Sequence, residues 1–159
     1  MVTEYRTNSR LLRKVAEIYT WLDTQIRDNN KLIGRCNACG KCCDFGEPAP
    51  GLDQVFDHRL YVTPPELMYL TVRRQTANLD AENIKSMPTS RCPYNVSGKC
   101  TVYEYRFAGC RIFCCNADVD FQSKLSESAL KKLKSLCTEF QIPYHYTDLA
   151  NALNSLADA

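Results

Sequence analysis

Nine of the ten cysteines in this 159-residue chain fall into two windows, and that placement limits the possible folds more than any other feature. The first window holds Cys36, Cys39, Cys42 and Cys43. The second holds Cys92, Cys100, Cys110, Cys114 and Cys115, and only Cys137 stands apart. A disulfide framework spreads its cysteines to close many loops, whereas a metal site needs several thiolates within a few ångströms. A chain of this length buries roughly 70% of the surface that its unfolded form exposes, so it does not need covalent staples to fold. Its cysteine content also lies below the ~8–10% of a short secreted disulfide scaffold. The first ten residues lack the apolar stretch of a secretory signal, and no run approaches the ~18 apolar residues of a membrane span. These features point to the cytoplasm and to metal binding rather than disulfide bonding.

A C-x2-C step lets one tight turn aim two sulfurs at the same ion. It occurs twice in succession here, Cys36-Asn-Ala-Cys39 and Cys39-Gly-Lys-Cys42, with Gly40 available for the turn. All-sulfur sites favour zinc or iron–sulfur clusters over magnesium or calcium. The window begins like a bacterial ferredoxin and then departs from it, because Cys43 directly follows Cys42 where ferredoxin continues x3-C-P. A Cys-Pro pair does occur, at Cys92-Pro93. Adjacent side chains tend to point apart, so Cys42 and Cys43 either serve two centres or leave one thiol outside the ligand set.

Helices are expected on both sides of the cysteine windows. Leu11, Leu12, Val15, Ile18, Tyr19, Leu22 and Ile26 recur at helical spacing over 9–29, with charged residues opposite. Leu60 and its neighbours form a short strand candidate over Arg59–Val62. Thr63-Pro-Pro-Glu66 has the layout of a capping box and opens a helix through about Gln75. Asn95-Val-Ser-Gly98 reads as a turn, and Lys99–Tyr103 is β-prone, which predicts a small hairpin. A further helix over 123–140 places Leu125, Ala129, Leu133, Leu136, Cys137 and Phe140 on one face and ends at Pro143. Thr147 or Asp148 caps a last helix to about Leu156. The fold expected is mainly α with a small β hairpin: one metal-stabilised domain over 1–159, with cysteine-bearing loops between helices. Its metal-binding core spans 35–115, flanked by the helix at 9–29 and the helices within 123–156.

Other candidates are weaker. Arg35, Lys41, Arg91, Lys99, Arg106 and Arg111 crowd the thiols, and cations there favour the thiolate form; Arg106 and Arg111 are the two best placed to do so. His58 and His145, the only histidines, are expected at the surface or in structural hydrogen bonds, and Cys137 in the core. The net charge of +2, without interleaved basic and aromatic residues, argues against nucleic-acid binding. The chain has no Gly-rich phosphate loop, no H-E-x-x-H and no G-x-S-x-G.

Three segments carry a resemblance to a known family. They are Cys36-Asn-Ala-Cys-Gly-Lys-Cys-Cys43, Cys92-Pro-Tyr-Asn-Val-Ser-Gly-Lys-Cys100 and Tyr103-Glu-Tyr-Arg-Phe-Ala-Gly-Cys-Arg-Ile-Phe-Cys-Cys115. Their order, C-x2-C-x2-C-C, then C-P-aromatic with G-x-C, then Y-x-x-R-x-x-x-C-R-x-F, resembles the YkgJ-type cysteine-cluster family, a zinc- or iron-chelating CxxCxxCC domain. A related domain occurs in flagellin lysine N-methylase. The resemblance implies eight shared cysteines, here Cys36, Cys39, Cys42, Cys43, Cys92, Cys100, Cys110 and Cys115. Phe107 stands where the family often has proline. The doubled final cysteine leaves Cys114 as the alternative to Cys115.

Three functions fit these observations. The first is an iron–sulfur cluster serving electron transfer or a cluster-dependent reaction, in company with a redox partner. The second is a structural zinc module in which eight cysteines divide into two four-thiolate sites and the helices face a protein partner. The third is an enzyme with substrate bound over Asp44–Asp57, where Asp44, Glu47, Asp53 and Asp57 supply carboxylates; solvated loop charge accounts for these better. No membrane partner is expected.

Overall fold

The computed structural model describes residues 8–28, 60–76, 92–112 and 118–157; for 74–76 and 154–157 it describes the backbone only. Helix α1 spans Ser9–Arg27, with Asn8 as its N-cap: Oδ1 accepts the Leu11 N–H at 3.1 Å. The predicted apolar stripe is the buried face, formed by Leu11, Leu12, Val15, Ile18, Tyr19 and Leu22, while Ile26 packs partly buried beside it. The antiparallel strand pair β1 (Tyr61–Val62) and β4 (Thr147–Asp148) follows in space, and helix α2 (Pro64–Thr76) in sequence. Then come strands β2 (Asn95–Val96) and β3 (Lys99–Cys100), a 3-10 turn at Tyr103–Tyr105, and the short helix α3 (Ala108–Ile112). Helix α4 (Val119–Glu139) and helix α5 (Leu149–Ala157) complete the order. The mainly helical fold class is as expected.

Helix α4 begins four residues before the expected Ser123. Asp118 supplies the reason, since its Oδ1 accepts the Phe121 N–H at 3.0 Å and so caps the helix. Its end also comes earlier than Pro143 requires. Gln141 takes the left-handed conformation at φ 53, and the Ile142 N–H reaches back to the Cys137 carbonyl at 2.8 Å. With the Gln141 N–H to the Thr138 carbonyl, this is a Schellman closure on a non-glycine residue. Ile142 and Cys137 are both buried in the same apolar cluster, the hydrophobic contact that usually accompanies that closure.

The hairpin is tighter than the sequence predicts. Asn95 pairs with Cys100 and Val96 with Lys99, so only Ser97 and Gly98 form the turn. Both have positive φ, 54 and 79, the type I′ pattern whose twist matches that of the flanking strands. The β1–β4 pair was not expected: two-residue strands 85 or more positions apart leave no periodic trace. It docks α5, with the Leu149 N–H donating to the Leu60 carbonyl at 2.7 Å and Asp148 capping the helix through the Asn151 N–H.

Two apolar clusters result, in one compact domain. The first lies between α1, α2, α3 and α4 and includes Tyr19, Tyr69, Leu133 and Cys137. The second gathers Val62, Leu70, Tyr94, Val102, Phe107, Leu149, Ala152 and Leu153. Neighbouring residues of α2, Tyr69 and Leu70, face different clusters, and Tyr105 packs against both. Arg10 and Lys14 reach Glu139 across the first cluster, with Lys14 Nζ at 2.7 and 2.8 Å from its two oxygens.

Candidate metal centre

Three expected ligands are described, and all three border the second cluster. Cys92, Cys100 and Cys110 are half-buried and pack against it beside Leu60, Leu67, Tyr105 and Ala150. Each sits on a different local device. The Cys92 carbonyl accepts the Asn95 N–H at 3.1 Å, closing a turn that feeds the hairpin. Cys100 is the last residue of β3, and Thr101 beyond it returns both its N–H (2.8 Å) and its hydroxyl (2.7 Å) to the Tyr94 carbonyl. Cys110 lies inside α3, preceded by Gly109. A Cβ at Gly109 would approach Leu60 Cδ1 to 2.5 Å, so glycine lets α3 lie close against the segment leading into β1. Phe107 is buried and fills the second cluster.

The Y-x-x-R-x-x-x-C-R segment explains itself locally. The Arg106 guanidinium lies 3.7 Å from the Tyr103 ring centroid, and its Nε donates to the Tyr103 carbonyl at 2.9 Å. Arg111 donates from Nε to the Arg106 carbonyl (3.0 Å), from Nη2 to the Glu104 carbonyl (2.6 Å) and from Nη1 to Asp23 of α1 (2.9 Å). Its guanidinium also covers the Tyr19 ring at 4.2 Å. These arginines clamp the elbow that presents Cys110, and Arg111 ties it to α1.

Two buried polar groups lie beside this elbow. Glu66, only 2% exposed, was expected as a helix cap and does more. Its Oε2 accepts the Thr63 N–H (2.9 Å) and hydroxyl (2.8 Å), and its Oε1 accepts the Ala108 N–H at 2.7 Å, so one carboxylate caps α2 and α3 together. Burial raises its pKa above the ordinary glutamate range, and those hydrogen bonds oppose the rise. Tyr19, expected only as part of the apolar stripe, has a buried hydroxyl without a hydrogen-bond partner. Its pKa is raised well above the ordinary value, first by burial and then by Glu66; Arg111 opposes the shift and Cys110 adds to it.

Cys36, Cys39, Cys42, Cys43, Cys114 and Cys115 lie outside the described residues, as do His58, Arg35, Lys41, Arg91 and the loop Asp44–Asp57. Among the described residues no group of three or more His, Cys, Asp or Glu side chains is arranged to hold an ion. Cys92, Cys100 and Cys110 border the same apolar cluster without forming such a group by themselves. His145 is exposed, and Cys137 is buried in the first cluster as expected, where burial raises its thiol pKa. Among the described residues no helix is long and apolar enough to cross a membrane.

A small helical protein that carries thiols from three separate elements to the margin of one apolar cluster has the build of a cysteine-cluster metal protein. Residues 35–138 match the family model CxxCxxCC, described as a "putative zinc- or iron-chelating domain", and the chain belongs to that family. The match runs past the cysteine core through most of α4, leaving α1 and α5 outside it. No curated protein and no solved structure matches the chain.

Proposed function

We propose that the chelated species is an iron–sulfur cluster, held by thiolates drawn from Cys36, Cys39, Cys42, Cys43, Cys92, Cys100, Cys110 and Cys115. The protein uses it for electron transfer or a cluster-dependent reaction in the cytoplasm, with a redox partner. One observation supports this above the others: Cys92, Cys100 and Cys110 come from a turn, a strand and a helix, eight and ten positions apart in sequence, and all border one apolar cluster. A cluster is bulky, and burial and the polarity around its sulfurs tune its potential. The donor set fits, being all sulfur. Purified without oxygen from iron-replete cells, the protein is expected to be brown, with broad absorption near ~400 nm and acid-labile sulfide in proportion to iron. Colourless protein with stoichiometric zinc and no sulfide would overturn the cluster and leave the zinc module, with its protein partner, in its place.

A further inference from the structure

A helix cap usually sits near the surface, where water meets whatever the side chain leaves unpaired. Asn8 and Asp148 are half-buried and Asp118 is exposed, in keeping with this. Glu66 differs: it is buried, and so are all three of its hydrogen bonds. Capping α2 needs only the two bonds to Thr63, which a glutamate at the surface makes equally well. Burying a carboxylate is costly unless its oxygens are well used. The third bond, from the Ala108 N–H at 2.7 Å, is what the interior position adds. Ala108 opens α3, is itself buried, and stands two positions before Cys110. Its N–H is a donor that α3 cannot satisfy within itself. Arg111 holds the same elbow through the carbonyls of Glu104 and Arg106 and through Asp23. None of these bonds uses a thiol, so they hold α3 without help from a metal.

We infer that Glu66 is a positioning residue for the metal centre: its carboxylate anchors α3 through the Ala108 N–H and presets Cys110 before the metal arrives. This role rests on the metal-centre reading above, for iron and zinc alike.

The test uses the full chain loaded anaerobically with Co²⁺, whose ligand-field bands report how the ligands are disposed around the metal. In Glu66→Gln the amide oxygen goes to the two Thr63 donors, and the NH2 group then faces the Ala108 N–H, donor against donor. Cys110 shifts with α3, so the bands of the saturated protein move and Co²⁺ affinity falls about 10-fold. Asn8→Ala removes a helix cap from α1 instead, and leaves bands and affinity at their wild-type values. Amide exchange on the wild type serves even if Glu66→Gln fails to fold: the Ala108 amide is as protected without metal as with it. Unmoved bands in folded Glu66→Gln, an equal movement in Asn8→Ala, or an Ala108 amide protected only when metal is bound overturns the inference. Wild-type protein without any cobalt–thiolate band overturns the metal centre itself, whatever the state of that amide.

Discussion

At the scale of single residues, Glu66 and Arg111 join segments that are far apart in sequence around the site. Glu66 reaches Ala108, 42 positions away, and Arg111 reaches Asp23, 88 away. A capping glutamate was legible in Thr63-Pro-Pro-Glu66 because N-cap and N3 are local; its second partner was not, because nothing in Glu66 names a helix so distant. The ties of Arg111 were hidden for the same reason, since adjacency to Cys110 is visible in sequence and Asp23 is not. Replacing Glu66 with Ala leaves the Ala108 and Thr63 N–H groups buried without acceptors, at a cost of about 1–3 kcal/mol each, readable by denaturant unfolding. The pH dependence has a definite sign. Because burial raises the Glu66 pKa, its stability contribution is complete below the ordinary glutamate value of about 4.3 and is lost as pH rises through the raised value. Wild-type stability should therefore gain on Glu66→Gln as pH falls from 7 towards 4.5, in unfolding titrations run side by side. A constant difference would count against a raised pKa.

At the scale of elements, the helices were legible and their ends were not. The stripes of α1 and α4 repeat at helical period, so burial follows directly. Asp118 and Gln141 set the ends of α4 through local geometry that periodicity does not carry. A non-glycine residue in the left-handed region costs about 1–2 kcal/mol, partly offset by the greater unfolded-state freedom of glycine. Gln141→Gly is thus expected to stabilise the protein by about 0.5–1 kcal/mol, seen as a higher Tm, since the closing Ile142–Cys137 hydrogen bond is kept. A lower Tm would show that Gln141 contributes through its side chain.

At the scale of the whole molecule, the two apolar clusters divide the work. The first, built on α1 and α4, needs no thiol beyond Cys137 as packing; the second borders Cys92, Cys100 and Cys110 and is closed by α5 through the β1–β4 pair. The cysteine windows were legible because ligand spacing is a sequence property. The route by which α5 comes to wall the cysteine side was not, because it runs through two-residue strands. Removing the metal with a chelator under reducing conditions should loosen the second cluster first. Amide exchange is expected to accelerate over Tyr94–Val102 and Leu149–Leu153 while α1 and the later half of α4 stay protected. Uniform loss of protection would mean that both clusters depend on the metal. The most direct test of the account is metal and sulfide content, measured on anaerobic wild-type protein and on single serine variants of Cys92, Cys100, Cys110 and Cys137. The account predicts iron with matching sulfide in wild type and Cys137→Ser, and marked loss of both in the other three. Full retention of metal in Cys92→Ser, Cys100→Ser and Cys110→Ser would contradict it.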